Sequence, residues 1–244
     1  GFVGGHLLAR LAGEDVACLA RTPAALAGPG IRVVAGGIDD RAAMDALVAG
    51  ASVVFHAAGA IAARSEAGFL AVNRDGTRAV AEACRRAGVS RLVYVSSLAV
   101  SGPAAHGRPA DETEPPRPVT AYGRSKQAGE DAVRDSGVAF TIVRPPIVYG
   151  PRDRQTLRLF RMARRGLAPL IGDGSQELSL VHAADLADAL VAASASAAAA
   201  GRTYHAAHPG VVTQRALMEE IGRAVGRAPR FVALPPAVVR AALA

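Results

Sequence analysis

Short apolar runs bounded by glycine, proline and charged clusters recur through the first part of the chain, and longer amphipathic stretches separate them. Val16 to Ala20, Ile31 to Ala35, Ser52 to Ala57, Arg91 to Ser96 and Ala139 to Arg144 read as buried strands. Helical periodicity takes over near Gly4 to Ala12, Arg41 to Val48, Asn73 to Ala87 and Ala121 to Asp135. Such alternation predicts an α/β fold, a doubly wound parallel sheet. After Gly150 the alternation breaks down. A basic helix (Thr156 to Arg165), the turn Gly172-Asp173-Gly174, a helix from Ala184, a strand near Thr203 to Ala206 and a helix from Gln214 to Val225 remain. The division this implies is residues 1–150 for the sheet domain and 151–244 for a small C-terminal lobe.

Composition narrows the partners. Half of the 244 residues are hydrophobic, yet no run approaches the roughly 20 apolar residues of a membrane span. The Ala-rich stretch Leu190 to Ala200 is too short and too weakly apolar. With no secretory signal visible, a cytoplasmic protein without a membrane partner is expected. The net charge of +7 invites a nucleic-acid reading. However, the basic residues are arginines (Lys126 excepted) spread along the chain, and tryptophan is absent. No nucleic-acid partner is expected; such a charge favours small anionic ligands. Cys18 and Cys84 read as reduced, inert thiols, so neither a disulfide nor a metal framework is implied.

The densest chemistry lies in Tyr122-Gly-Arg-Ser-Lys126. Thr120 can cap this helix, and residues four apart share a face, so phenol and ammonium point to one spot. A lysine beside a tyrosine stabilises the tyrosinate and lowers its pKa from about 10. The phenol then becomes a usable proton donor or acceptor for a carbonyl/alcohol pair. Upstream, Arg91-Leu-Val-Tyr-Val-Ser-Ser97 is a strand ending in two hydroxyls, where parallel α/β sheets place ligands. Downstream, Phe140-Thr-Ile-Val-Arg-Pro-Pro-Ile-Val-Tyr-Gly150 runs into a proline-stiffened loop, and Gly1-Phe2-Val3-Gly4 opens the chain as a glycine-rich helix start.

Taken together these segments resemble the short-chain dehydrogenase/reductase superfamily, in its extended, epimerase/dehydratase-like branch, over nearly the whole chain. The resemblance implies a Rossmann domain that binds a dinucleotide, followed by a substrate-side lobe. Gly1 and Gly4 match the second and third glycines of the family's fingerprint, with the pyrophosphate at the helix N-terminus beside Phe2 and Val3. The fingerprint's first glycine and first strand are not in this sequence. In this fold that strand lies mid-sheet, so a piece of a longer protein with two exposed strand edges is expected. The C-terminus, ending within an apolar Pro235-to-Leu243 helix, reads as clipped as well.

The second strand ends in Arg21-Thr22 without a carboxylate, as in NADP-using reductases of the branch, so NADP is expected, with NAD the alternative. In the loop Gly36-Gly37-Ile38-Asp39-Asp40, Gly37 takes the place of the family's adenine-contacting Asp, which leaves the contact to backbone and Ile38. Asp39 and Asp40 read as a helix cap. The turn Ala57-Ala58-Gly59 packs on the cofactor, and Pro145 passes beside the nicotinamide. Asn73 matches the family's site-supporting Asn, and from its position is as readily a helix cap. Ser97 fits the catalytic hydroxyl, Tyr122 the acid/base and Lys126 the ribose-binding lysine; Asp185 reads as scaffold. The pair His205 and His208 has no Cys or carboxylate partner, so no metal site is expected.

Three departures from the branch bear on substrate. Ser97 is followed by Leu98-Ala99 instead of Asp-Glu, which argues against dehydration. Gln176 to Leu180 offers no Arg for a nucleotide-sugar diphosphate. Ser101 replaces a usual Tyr, leaving the pocket smaller or more open. The expectation is an NADP(H)-preferring oxidoreductase that interconverts a carbonyl and an alcohol on a small or lipophilic substrate. An NAD-dependent nucleotide-sugar epimerase and a non-catalytic dinucleotide-binding protein are the alternatives. A homodimer is compatible with the family, though no residue decides it.

Overall fold

The computed structural model describes residues 1–23 and 30–235. Its elements, in chain order, are α1 (Phe2–Arg10), β1 (Val16–Ala20), β2 (Ile31–Ala35), α2 (Arg41–Val48), β3 (Val53–His56), α3 (Glu66–Leu70), α4 (Thr77–Arg86), β4 (Arg91–Val95), α5 (Ala121–Asp135) and β5 (Phe140–Arg144). There follow β6 (Ile147–Tyr149), α6 (Thr156–Arg164), β7 (Leu167–Ile171), β8 (Glu177–Leu178), β9 (Leu180–His182), α7 (Ala183–Ala195), β10 (Thr203–His205), β11 (Val212–Thr213), α8 (Gln214–Ala224) and β12 (Arg230–Leu234). The helix expected beyond Pro235 lies outside the described residues.

Helix boundaries follow local chemistry. Asp40 caps α2 by accepting from the Ala43 N–H at 3.0 Å, and Thr120 caps α5 by accepting from the Gly123 N–H at 3.0 Å. Where one helix from Asn73 was expected, α3 precedes a π-helical turn, Ala71–Gly76, that runs into α4. Such turns occur frequently at functional sites. Asn73 sits inside this turn and caps nothing.

The chain forms two compact units. The first comprises Gly1–Pro146 and Ala184–Ala206; the second takes up Ile147–Ala183 and the chain from Ala207 onward. This differs from a division at Gly150, because β10 returns to pair in parallel with β5, Thr203 opposite Ile142. Its sheet has the order β10-β5-β4-β3, all parallel, while β1 and β2 form a separate parallel pair. Met44 and Val48 of α2, Val80 and Cys84 of α4 and Val133 of α5 pack on Leu92, Tyr94 and Ile142 in one apolar core. The buried residues of α7, Leu186 and Leu190, add to the same unit, and Arg10 joins α1 to α7 through Asp188 at 2.9 Å.

In the second unit, Ile147–Tyr149, read from sequence as loop, is strand β6 and pairs in parallel with β9. There β7 pairs with β12 in parallel and β8 with β11 antiparallel. Helices α6 and α8 meet over a small core of Ala163, Ala168, Leu170, Met218 and Ile221. No helix among the described residues is long and apolar enough to cross a membrane.

Candidate functional site

Of the expected site residues, Gly59, Asn73, Ser97, Tyr122, Lys126 and Pro145 lie in the first unit about the ends of β3, β4 and β5 and the start of α5. Beyond β4 the two serines part company. Ser96 turns inward and donates to Glu130 at 2.6 Å, whereas Ser97 starts a short turn by accepting from the Ala99 N–H at 3.2 Å. The Ser97 hydroxyl also lies near enough to Tyr122 to favour its phenolate. Pro145 is buried, and its carbonyl accepts from the Leu98 N–H at 2.9 Å, fastening the end of β5 to this turn.

One turn further along α5, Lys126 is 3% exposed. Its Nζ donates to the Val95 carbonyl at 2.8 Å and lies 4.3 Å from the centroid of the Tyr94 ring. Tyr94 in turn stacks with the His56 ring at 5.3 Å. Burial pushes the Lys126 ammonium down to about 7, against the pull of Glu130. Burial likewise pushes Tyr122 up, with the neighbouring Ser97 hydroxyl opposing it. This corrects the expectation that Lys126 lowers the Tyr122 pKa in the free protein. The ammonium is engaged with Val95 and Tyr94, and low polarity destabilises the phenolate.

Asn73 is fully buried and its amide is committed. It accepts from the Ala60 N–H at 2.8 Å and donates to the Ala60 carbonyl at 2.9 Å and to Ser125 Oγ at 2.9 Å. Ser125 donates to the Tyr122 carbonyl at 2.7 Å. Asn73 therefore ties the loop after β3 to the first turn of α5. Both amide hydrogens are used in these bonds, and one lone pair of Oδ1 remains. Gly59 lies in that loop, and a Cβ there would stand 3.1 Å from Asn73 Oδ1 and 3.7 Å from Lys126 Nζ. A side chain at this position would crowd Asn73 and touch Lys126.

The residues proposed for a dinucleotide include an acid-free helix start and exposed loop positions of the first unit. At the start of α1 no acidic residue occupies the first turn, and space is open within 4 Å of where a Cβ would sit on Gly1 or Gly4. Phe2 and Val3 carry first-turn N–H groups of that helix, which favour an anion. Arg21 is exposed just past β1, and Ala57, Ala58 and Gly59 are exposed past β3. Ile38 is partly buried against the core and packs on Gly76, so its side chain serves the fold. Asp185 is exposed in the first turn of α7, where a carboxylate complements the helix dipole.

Sequence reasoning missed the polar network beneath the site. Glu130 is fully buried and receives both nitrogens of Arg144, at 2.8 and 2.7 Å, besides Ser96 and Arg134. Burial pushes its carboxyl up, but the Arg144 bonds and charge, with Ser96 and Arg134, outweigh this and hold it below the usual value. Ser101 is buried against Arg144 and His205 Nε2, at 3.3 and 3.1 Å, so its hydroxyl serves this network. The available signals were an arginine inside an apolar strand and a glutamate four residues past Lys126.

Residues 1–207 match the sequence model of the NAD dependent epimerase/dehydratase family. This chain belongs to that family. Among curated relatives, ceramide reductase of Caulobacter vibrioides is 42% identical over 163 residues, 66% of this chain and 46% of that protein. The 2-alkyl-3-oxoalkanoate reductase of Stenotrophomonas maltophilia is 35% identical over 214 residues, 82% of this chain and 64% of that protein. The epimerase/dehydratase chain thus spans about half to two thirds of the length of such relatives. Its structure superposes on the Thermus thermophilus UDP-glucose 4-epimerase complex with NAD with a TM-score of 0.85 at 25% identity, covering 97% of this chain and 84% of that one. The expected α/β Rossmann class holds.

Proposed function

We propose that the protein is an NADP(H)-preferring oxidoreductase that interconverts a carbonyl and an alcohol on a small or lipophilic substrate. The observation that carries this reading is the constellation on α5: Tyr122 has the Ser97 hydroxyl beside it, and buried Lys126 lies one turn away. A dinucleotide would be held by the N-terminus of α1 through Gly1 and Gly4, by Arg21, by the exposed turn Ala57–Gly59 and by Lys126. When bound, the nicotinamide supplies or accepts the hydride. In the reducing direction Tyr122 gives its proton to the substrate oxygen, and Ser97 hydrogen-bonds that oxygen as its charge develops. Lys126 stabilises the resulting tyrosinate, and Asn73 and Glu130 hold α5 in place.

Two relatives named as reductases of ceramide and of 2-alkyl-3-oxoalkanoates support a lipophilic carbonyl substrate. The absence of a carboxylate at Arg21 supports NADP(H). The test is NADPH oxidation with a panel of alkyl ketones and 3-oxoacids, in the wild type and in Tyr122→Phe. The variant is expected to bind cofactor normally and to lose about 100-fold in turnover. Unchanged turnover would refute the assignment.

A second reading, a nucleotide-sugar epimerase with retained NAD, is favoured by the match to the NAD complex of UDP-glucose 4-epimerase. NAD that copurifies and resists dialysis, with conversion of a UDP-hexose, would establish it.

A further inference from the structure

Several surface arginines of the first unit face acids: Arg10 with Asp188, Arg86 with Asp45, Arg124 with Glu66, Arg117 with Glu114. Arg32, Arg85 and Arg202 of that unit have no carboxylate partner among the described residues, but they lie on separate segments, β2, α4 and the turn before β10. The second unit has eleven arginines and five acids in its sequence. Arg223 pairs there with Glu220, but Arg158, Arg161, Arg164 and Arg165 have no carboxylate partner among the described residues.

These four are exposed on and just past α6. At 3.6 residues per turn they fall within an arc of about 120°, and Leu157, 40% exposed, falls in the same arc. The opposite side of the helix, Leu159, Phe160 and Ala163, is the packed one. At the end of α6 the Arg227 guanidinium donates to the Arg164 carbonyl at 2.9 Å, and the Arg230 N–H donates to the Gly166 carbonyl at 2.8 Å. Two more exposed arginines thus adjoin the row. Leu167, opposite Arg230 in the β7–β12 pair, is 42% exposed. A favourable helix dipole accounts for arginines in the last turn but not for Arg158 in the first.

We propose that this face of the second unit docks on an anionic lipid bilayer. Unneutralised guanidinium groups meet the phosphates of such a surface, while Leu157 and Leu167 enter the headgroup layer. The exposed apolar side chains are aliphatic, which suits acyl chains; a nucleic-acid site would present aromatic rings for stacking bases. Each arginine within a Debye length, about 10 Å at 0.1 M salt, adds about five-fold to partitioning. The proposal is independent of the reaction the protein performs.

The test is cosedimentation of the 244-residue chain with vesicles of phosphatidylcholine alone and of phosphatidylcholine with phosphatidylglycerol. Binding is expected with phosphatidylglycerol, falling with salt, and absent without it. The triple variant Arg158→Glu, Arg161→Glu, Arg165→Glu is expected to lose at least about 100-fold, the effect of removing three positive charges before the repulsion of the new carboxylates is added. A control reverses three exposed arginines of the first unit, Arg32, Arg85 and Arg202, and is expected to keep most of the binding. Because all six side chains are exposed, both triples should fold, which circular dichroism verifies. Failure of the wild type to bind acidic vesicles overturns the proposal. So does equal loss in the two triples, which marks net charge alone, or tighter binding to duplex DNA than to the vesicles at equal salt.

Discussion

The Lys126 ammonium rests 4.3 Å from the centroid of the Tyr94 ring and donates to the carbonyl of the next residue, Val95. A strand residue and its neighbour's backbone thus hold the cation that the candidate chemistry needs. The ring's negative face and the carbonyl offset part of the desolvation of a lysine that is 3% exposed.

The depressed lysine has a consequence for stability. Its folded pKa is about 7 against an ordinary 10.5, so between those values the unfolded chain holds a proton that the folded chain lacks. Stability therefore gains with rising pH across this window, and the cost of the buried charge is full below it. Lys126→Met should be more stable than wild type near pH 6.5, by on the order of 3 kcal/mol, with the advantage fading toward pH 10.5. Paired thermal melts at the two pH values check this. A difference independent of pH would show that the lysine is not desolvated as described.

Removing the acid beneath the site should be costly. Glu130→Ala leaves Arg144, itself 2% exposed, without its carboxylate and should destabilise by about 3–5 kcal/mol in urea titration. Arg134→Ala, which removes a half-exposed partner of the same carboxylate, should cost about 1 kcal/mol or less.

Gly129 marks the closest approach of α5 to the π-helical turn. A Cβ there would lie 2.3 Å from the Asn73 carbonyl oxygen and 2.4 Å from the Tyr94 hydroxyl. Gly129→Ala gains about 1 kcal/mol of helix propensity yet should destabilise by about 1–3 kcal/mol net, because backbone must move. A stabilised variant would mean that the two helices are further apart.

Cofactor preference can be read at Arg21. Arg21→Ala should weaken NADPH by about ten-fold, the worth of a charge-assisted hydrogen bond at an exposed site, and leave NADH unchanged. Fluorescence titration of the two nucleotides decides it, and equal weakening of both would remove Arg21 from cofactor choice.

Much of this protein was legible in one dimension. Short apolar runs located β1 to β5, and the period-3.6 pattern the main helices of the first unit, to within a few residues, because strands of a covered parallel sheet are apolar on both faces and helices on one. Tyr122 and Lys126 could be paired because helical spacing alone sets them on one side of α5. Capping by Asp40 and Thr120 was likewise a local matter, a side-chain oxygen meeting an N–H three residues on.

Other features depend on contacts between segments far apart in sequence. Short strands such as β6, β9 and β11 carry too few residues to show a period, and only their pairing defines them. That β10 belongs with β5 follows from a parallel register between residues some sixty positions apart. The commitment of Asn73 to Ala60 and Ser125, the burial of Ser101 and the pairing of Glu130 with Arg144 arise where loops and helices converge. Tertiary structure also determined the state of Lys126. Its spacing from Tyr122 is a property of the helix, but its pKa depends on how much water the surrounding chain excludes, and no local pattern encodes that.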